Sequence, residues 1–347
     1  MPPKIVEVIE NGVCTACGAC EAACPLNAVH IESEAEVPED ETRVPSASRR
    51  DPNNLTYYIH GAACEVCEDC LTCSRVCPVV DGFPTDEFDN VRSFRGGKSE
   101  LEGQDGAVVS AILKSLFEQG EIDCAVGIKR DGDWNIEPFM LTKASDVDLS
   151  KGTKYSSAPV LAQLKDAMKK YEKIAVVGVP CQAHAAALMR DNMTDRIALV
   201  VGILCMESFT SEALRENIIP NIMGLDITKV VKMDFGGGKF WAYTKNGDNG
   251  EEPEAHSVAI KEVAPLARNP CHHCLDYTAY YADISVGSVG APDGWNSVIV
   301  RTETGETYLN KVKGIEYMDD PKPGMFLIKK LADMKHKSNA PKEGEAH

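Results

Sequence analysis

The sequence predicts a two-part architecture, a small cysteine-rich module at the amino terminus followed by a larger α/β body. Three observations predict it. Nine of the 14 cysteines in the 347 residues fall between Cys14 and Cys77. A five-residue cysteine and proline pattern recurs in that stretch at one fixed offset. From about residue 93 onward, helical apolar periodicity alternates with short apolar strands, the pattern of α/β folds. At roughly 150 residues per domain, the length allows two or three.

Composition removes several classes of function. Lys and Arg total 36 against 53 Asp and Glu, a net charge of −17. Such a surface repels a phosphate backbone, so no nucleic-acid partner is expected. The longest apolar run, 197–206, is about half of a bilayer span, and the opening MPPKIVEVIENG has no apolar signal core. A cytoplasmic chain without direct membrane insertion is expected. In a reducing compartment thiols stay free unless a metal holds them, so the cysteines point to a metalloprotein rather than a disulfide scaffold.

The first stretch reads CTACGACEAACPLNAVHIE, with Cys14, Cys17, Cys20 and Cys24 ahead of Pro25. Adding 53 to each number gives Cys67, Cys70, Cys73, Cys77 and Pro78. The spacing C-x2-C-x2-C-x3-C-P resembles bacterial 2[4Fe-4S] ferredoxins, in which three thiolates on a tight loop hold one cluster and the fourth cysteine serves the other. Carried onto this chain, Cys14, Cys17, Cys20 and Cys77 hold one [4Fe-4S] cluster, and Cys67, Cys70, Cys73 and Cys24 hold the second. Zinc also binds CxxC pairs, but it leaves the x3-CP step and the repeat unexplained. Cys64 has no role, because position 74, where a shifted register would need a ligand, is Ser74. The acidic, Pro- and Ser-containing segment 32–54 reads as an exposed insertion in a ferredoxin-like domain over 1–90.

In the body, 106–120 reads as a helix and 122–128 as a buried strand. A helix over 158–171 and a strand over 173–180 follow, leading into CQAHAAALMR, and another strand covers 197–205. No GxGxxG or Walker A pattern follows a strand, which argues against a Rossmann or P-loop site. Cys181 and Cys205 stand at strand ends, and Cys271 and Cys274 form CHHC. Either these four thiols converge where an α/β sheet gathers its strand ends, or Cys181 and Cys205 are small apolar fillers and CHHC is a zinc hook. Cys124 reads as core packing. His272 and His273 read as neighbours of the CHHC thiols, and His184 as a structural histidine.

Five segments carry a family resemblance: QDGAVVSAILKSLFEQGEID (104–123), KGTKYSSAP (151–159), GVPCQAHA (178–185), GILCMESF (202–209) and CHHCLDYTAYYADISVGSVG (271–290). Together they resemble the beta subunits of coenzyme F420 hydrogenases and dehydrogenases, over roughly 93–313. The fused double motif narrows the likeness to the dehydrogenase branch of methanogenic archaea. The resemblance implies a third [4Fe-4S] cluster on Cys181, Cys205, Cys271 and Cys274, and FAD near Gln104, Asp105, Gly106, Ala107 and Gly152, Thr153, Lys154, Tyr155. Ala107 stands where the family has a second glycine. An FAD- and F420-binding domain over 91–330 is expected, followed by a disordered tail over 331–347.

The implied activity is oxidation of reduced coenzyme F420, a hydride donor. A flavin converts that two-electron chemistry to the one-electron chemistry of clusters. The acceptor implied is a membrane-bound F420H2 dehydrogenase complex or a ferredoxin, with any membrane contact made through that partner. Docking an anionic coenzyme on an acidic chain calls for local cations, for which Lys129, Arg130, Lys151 and Lys154 are candidates. The rival readings are a soluble F420:ferredoxin oxidoreductase and, outside enzymes, an FAD-free polyferredoxin-type adaptor. No general base is identified.

Overall fold

The computed structural model describes residues 3–27, 29–33, 57–61, 70–245 and 252–340. Cys64, Cys67 and residues 34–54 of the expected insertion over 32–54 lie outside the described residues, whereas Glu32 and Ser33 end a strand paired with Tyr58 and Tyr57.

The amino-terminal module holds helices α1 (Pro3–Glu10) and α2 (Ala19–Ala23), an antiparallel ribbon of β1 (Val29–Ser33) and β2 (Tyr57–Gly61), and helices α3 (Thr72–Arg75) and α4 (Pro78–Asp81). Pro78 opens α4 directly after an extended Cys77, a position where its missing N–H costs nothing. Helices this short are not stable alone. Ile5, Ile9, Val29 and Ile31 bury them in one apolar cluster together with Cys24 and Cys73.

The body is built on β3 (Ser93–Lys98), α5 (Val108–Glu118), β4 (Cys124–Arg130), β5 (Ile136–Leu141), α6 (Val147–Ser150), α7 (Leu164–Lys170), β6 (Ile174–Gly178), α8 (Pro180–Asn192) and β7 (Ile197–Ile203). A three-stranded antiparallel unit follows, β8 (Val230–Gly236), β9 (Lys239–Thr244) and β10 (Glu254–Ala259). The chain then adds α9 (Ile260–Val263), β11 (Ile284–Gly287), β12 (Asn296–Val300), α10 (Glu303–Leu309), β13 (Glu316–Asp319) and α11 (Met325–Asn339).

Eight strands form one sheet in the order β13-β3-β12-β11-β7-β6-β4-β5. Its centre, β11-β7-β6-β4, is parallel and its flanks are antiparallel. Strand periodicity assigns the two faces. Cys124, Val126, Ile174, Val176 and Val200 point to one core, and Ala125, Ala175, Leu199 and Val201 to the other. The second face is covered by α5 through Val108, Ile112 and Leu116. The first is covered by α7, α8 and the amino-terminal module, whose Cys17, Ala19, Ala22, Ala23 and Val76 enter the same core. The two predicted parts therefore share a hydrophobic core.

Strands β4, β6 and β7 fall where the apolar runs predict them. The flanking β3, SFRGGK, carries no apolar run. Pairing with β12 and β13 makes it a strand, and an added Cβ at Gly97 would press on Val108 and Val298 at 3.0 Å. The tail reading fails over 331–339, which is helical as part of α11. Ile328 and Ala332 seat that helix against Tyr277 and Ile299, and Lys335 is buried. Residues 341–347 lie outside the described residues. Among the described residues no helix is long and apolar enough to cross a membrane.

Candidate metal centres and cofactor site

Cys14, Cys17 and Cys20 lie on the loop entering α2 and its first turn, where Gly18 is the N-cap at φ +93. Any Cβ there would meet the Ala162 amide nitrogen at 2.4 Å, so the loop requires glycine both for its conformation and for its contact with the body. Cys77 reaches the same place from the second motif. These four thiols line one cavity, closed by Pro78 and by Ile5, Ile9 and Ile31, with no carboxylate in its wall. Burial pushes the Cys14 and Cys77 thiols up to about 12, and neighbouring thiols add to it. Metal binding would release those protons. Among the described residues no three His, Cys, Asp or Glu side chains are gathered for a single ion. A set of four thiols around a cavity fits a thiolate-held cluster.

Of the second set, Cys24 and Cys73 are buried in the module's core. Cys70 is half-buried beside the exposed Leu71, and the Thr72 hydroxyl 3.3 Å from its sulfur lowers its pKa. Cys67 lies outside the described residues.

The body thiols come from three separate segments. Cys181 follows β6 in the first turn of α8, Cys205 follows β7, and Cys271 and Cys274 lie in the turn at Asn269–His272 and just after it. Because β6 and β7 are parallel neighbours, their carboxyl ends reach the same sheet edge. Burial raises the Cys181 thiol well above its ordinary range, and Cys274 and Cys205 add to the shift; Cys205 is pushed up to about 12 by burial, with Cys271 and Cys274 contributing and Lys335 opposing. The Ser208 amide donates to Cys271 Sγ at 3.4 Å, and Cys205 Sγ and Cys274 Sγ donate to the carbonyls of Glu207 and Asp276 at 3.6 and 3.5 Å. Electrostatic influence runs from Cys274 and Cys205 to Cys181, and from Cys271 and Cys274 to Cys205.

Two residues with no sequence signal organise this region. Arg268, 3% exposed, donates to the Thr15 carbonyl at 2.8 Å, and its charge favours the thiolate form of Cys14, Cys17 and Cys181. It lies between the first ferredoxin set and the body set. Lys335, also 3% exposed, reaches the carbonyls of Cys205 and Asp276, each at 2.8 Å. Burial opposes its ammonium, but Cys274, Cys205 and Cys271 raise its pKa above the ordinary lysine range. Electrostatic reach links Cys274 to Cys181, Cys181 to Cys17, and Cys20 to Cys73.

The two expected cofactor segments meet around Asp234 of β8. Tyr155 Oη lies 3.4 Å from the Asp234 carboxylate, and Asp105 is pushed up to about 6 by burial and by Asp234. Asp105 Oδ2 is buried without a hydrogen-bond partner among the described residues. Such an orphaned acceptor fits a ligand bearing hydroxyl or N–H groups. The segment holding Tyr155 is bridged to the Cys205 strand exit, since the Phe209 amide donates to the Tyr155 carbonyl at 2.8 Å.

One expectation about this segment changes. A glycine turn ahead of a helix, as at Asp105 and Gly106 before α5, can offer free backbone N–H groups to a pyrophosphate. The Ala107 amide instead donates to the Gln104 carbonyl at 3.0 Å, and the Val108 amide to Asn296 Oδ1 at 3.2 Å. Gly106 is pressed against β3, where a Cβ would meet the Gly97 carbonyl at 2.3 Å. Ala107 keeps φ +50 and is buried, so its methyl lies in the protein interior. The candidate cations also have partners already. Lys129 pairs with Glu137 at 2.9 Å, Lys151 with Glu102 at 3.0 Å, and Arg130 stacks on Trp134. Lys154 donates to the carbonyls of Ser150 and Lys151, and burial, then Arg130, lowers its pKa to about 7.

His184 stacks on Tyr281 at 3.6 Å and lies 2.8 Å from the Asp81 carboxylate, tying α8 to α4. Cys124 is fully buried in β4, and His272 is exposed.

Residues 97–165 match a family model described as coenzyme F420 hydrogenase/dehydrogenase, beta subunit N-term, and 171–321 match its C-terminus counterpart. Residues 10–106 match a 4Fe-4S dicluster domain. The chain is 57% identical over 343 residues to a subunit of the F(420)H(2) dehydrogenase of Methanosarcina mazei, spanning 98% of this chain and 94% of that protein. It is 37% identical over 271 residues to the coenzyme F420 hydrogenase subunit beta of Methanococcus voltae, spanning 74% and 94%. Among solved structures, a chain of the F420-reducing [NiFe] hydrogenase complex from Methanosarcina barkeri superposes with a TM-score of 0.68 at 29% identity, over 74% of this chain and 93% of that one.

Proposed function

The chain belongs to the coenzyme F420 hydrogenase/dehydrogenase beta subunit family of oxidoreductases, and from that membership we propose that it oxidises reduced coenzyme F420 and passes single electrons through three [4Fe-4S] clusters to a membrane-bound dehydrogenase complex or a ferredoxin. The observation that carries this reading is the cavity lined by Cys14, Cys17 and Cys20 of the first motif together with Cys77 of the second.

FAD, when bound, supplies the exchange between hydride and single-electron chemistry. Asp105 and Tyr155 would hold it, Asp105 through its unpartnered oxygen and Tyr155 from its place against Phe235 and Phe240. The Phe209 bridge fixes that segment to the exit of β7, so the cofactor side and the Cys205 side keep a constant separation. Orientation is the protein's main contribution to such a transfer. Arg268 favours negative charge at both flanking thiol sets, which lowers the cost of placing an electron on either side of it.

The test is anaerobic turnover of purified, flavin-loaded protein with a viologen dye as acceptor. Oxidation of reduced coenzyme F420 with about 12 irons per chain is expected. Turnover of NADH with no response to reduced F420 overturns the substrate, and protein that binds no flavin overturns the route.

A further inference from the structure

We propose that Lys335 is a positioning residue that sets the reduction potential of the body cluster, supplying a buried positive charge from α11 to the site formed by Cys181, Cys205, Cys271 and Cys274. This rests on the reading that those four thiols hold a cluster. The helix lies outside the stretch matched by the family models, which ends at residue 321, so nothing in that match assigns it.

The geometry is specific. Lys335 is 3% exposed, and its Nζ donates to the carbonyls of Cys205 and Asp276, each at 2.8 Å. One turn further on, Asn339 Nδ2 donates to the carbonyls of Cys271 and Cys274, each at 2.8 Å. A single helix thus holds three of the four cysteine backbones, and Lys335 brings an ammonium into their midst. Glu207 and Asp276 are the nearby acids, and Asp276 is already engaged by the Tyr280 amide.

A buried lysine is costly unless something negative needs it. A cluster ligated by four thiolates is anionic and gains another negative charge on reduction. A fixed cation in a low-dielectric setting favours the reduced form more than the oxidised one, which raises the potential. The first ferredoxin set shares the buried Arg268 with the body set, and the lining of its cavity holds no second cation. The body cluster thereby becomes the better electron acceptor, poised to take electrons from the cofactor side.

The test is an anaerobic redox titration followed by electron paramagnetic resonance, on the whole chain, with iron measured on each sample. Lys335→Gln keeps N–H donors and removes the charge, and Lys335→Arg keeps the charge. Lys335→Gln is expected to retain its iron and to make reduction of the body cluster about tenfold less favourable at fixed potential, which is about 59 mV downward for one electron. Lys335→Arg is expected to stay near the parent protein. Equal potentials in Lys335→Gln and the parent overturn the proposal. Loss of about four irons from both variants also overturns it, by making the residue a structural clamp. A parent protein with only about eight irons refutes the third cluster itself, a separate failure.

Discussion

The two proposed sites, the first ferredoxin site and the body site, each draw on four thiols, yet they would be built in opposite ways. Three ligands of the first come from seven consecutive residues, Cys14 to Cys20, and the loop itself brings them together. The body site draws on three segments up to 93 residues apart, from Cys181 to Cys274, and depends on β6 and β7 being parallel neighbours. The first leans on Arg268 at its border. The second has Lys335 inserted among its backbone carbonyls. A site that the chain closes locally tolerates damage elsewhere, whereas a site closed by the fold inherits every weakness of the elements that meet there.

The largest expected effect comes from breaking the body site directly. Cys181→Ser should lower iron from about 12 to about 8 per chain and reduce dye-linked oxidation of reduced F420 by 100-fold or more, on the order of 3 kcal/mol, while leaving the resonance signals of both ferredoxin clusters. Unchanged iron with stoichiometric zinc would identify CHHC as a zinc hook. Next in size is a test of ligand exchange in the module. Cys24→Ala should abolish the signal of the cluster on Cys67, Cys70 and Cys73 and leave the one on Cys14, Cys17, Cys20 and Cys77 intact. The reverse pattern would mean that each motif closes on itself.

Gly18→Ala probes the contact between the two regions. The substitution forces a Cβ against the Ala162 amide at a φ of +93, which should cost about 2–4 kcal/mol and weaken transfer from body to module more than flavin reduction. Stopped-flow traces that slow equally in both phases would argue against a local effect. A smaller effect is expected at Lys154. Its pKa is lowered to about 7, so its positive charge is present below that pH and lost above it. Affinity for the anionic coenzyme should therefore rise about three- to tenfold as pH falls through that value, and Lys154→Met should flatten the profile. A profile unchanged by the substitution assigns the dependence to another group.

The smallest effect is expected at Asn339, which makes two hydrogen bonds to the CHHC turn. Asn339→Ala should cost about 1–2 kcal/mol and lower the melting temperature by about 2–6 °C, as followed by circular dichroism. No shift in Tm would mean that Ile328, Ala332 and Lys335 seat the helix without help from Asn339.

Three features could be read from the chain alone: the cysteine pattern of the module, the shared offset that takes Cys77 to the first site, and the central strands β4, β6 and β7. They were legible because ligand spacing on a loop and apolar runs in a buried parallel strand are local properties. Other features exist only once distant segments meet. Strand β3 forms because neighbours complete its hydrogen bonds, and the start of α5 is closed to phosphate because Asn296, 188 residues away, takes its amide. The segment that reads as a polar tail is a helix because Ile328 and Ala332 find a surface to bury against. Arg268 and Lys335 look in the sequence like ordinary solvated charges. Burial beside thiols is what gives them a role, and burial is a property of the assembled fold, not of the residues that flank a charge in the chain.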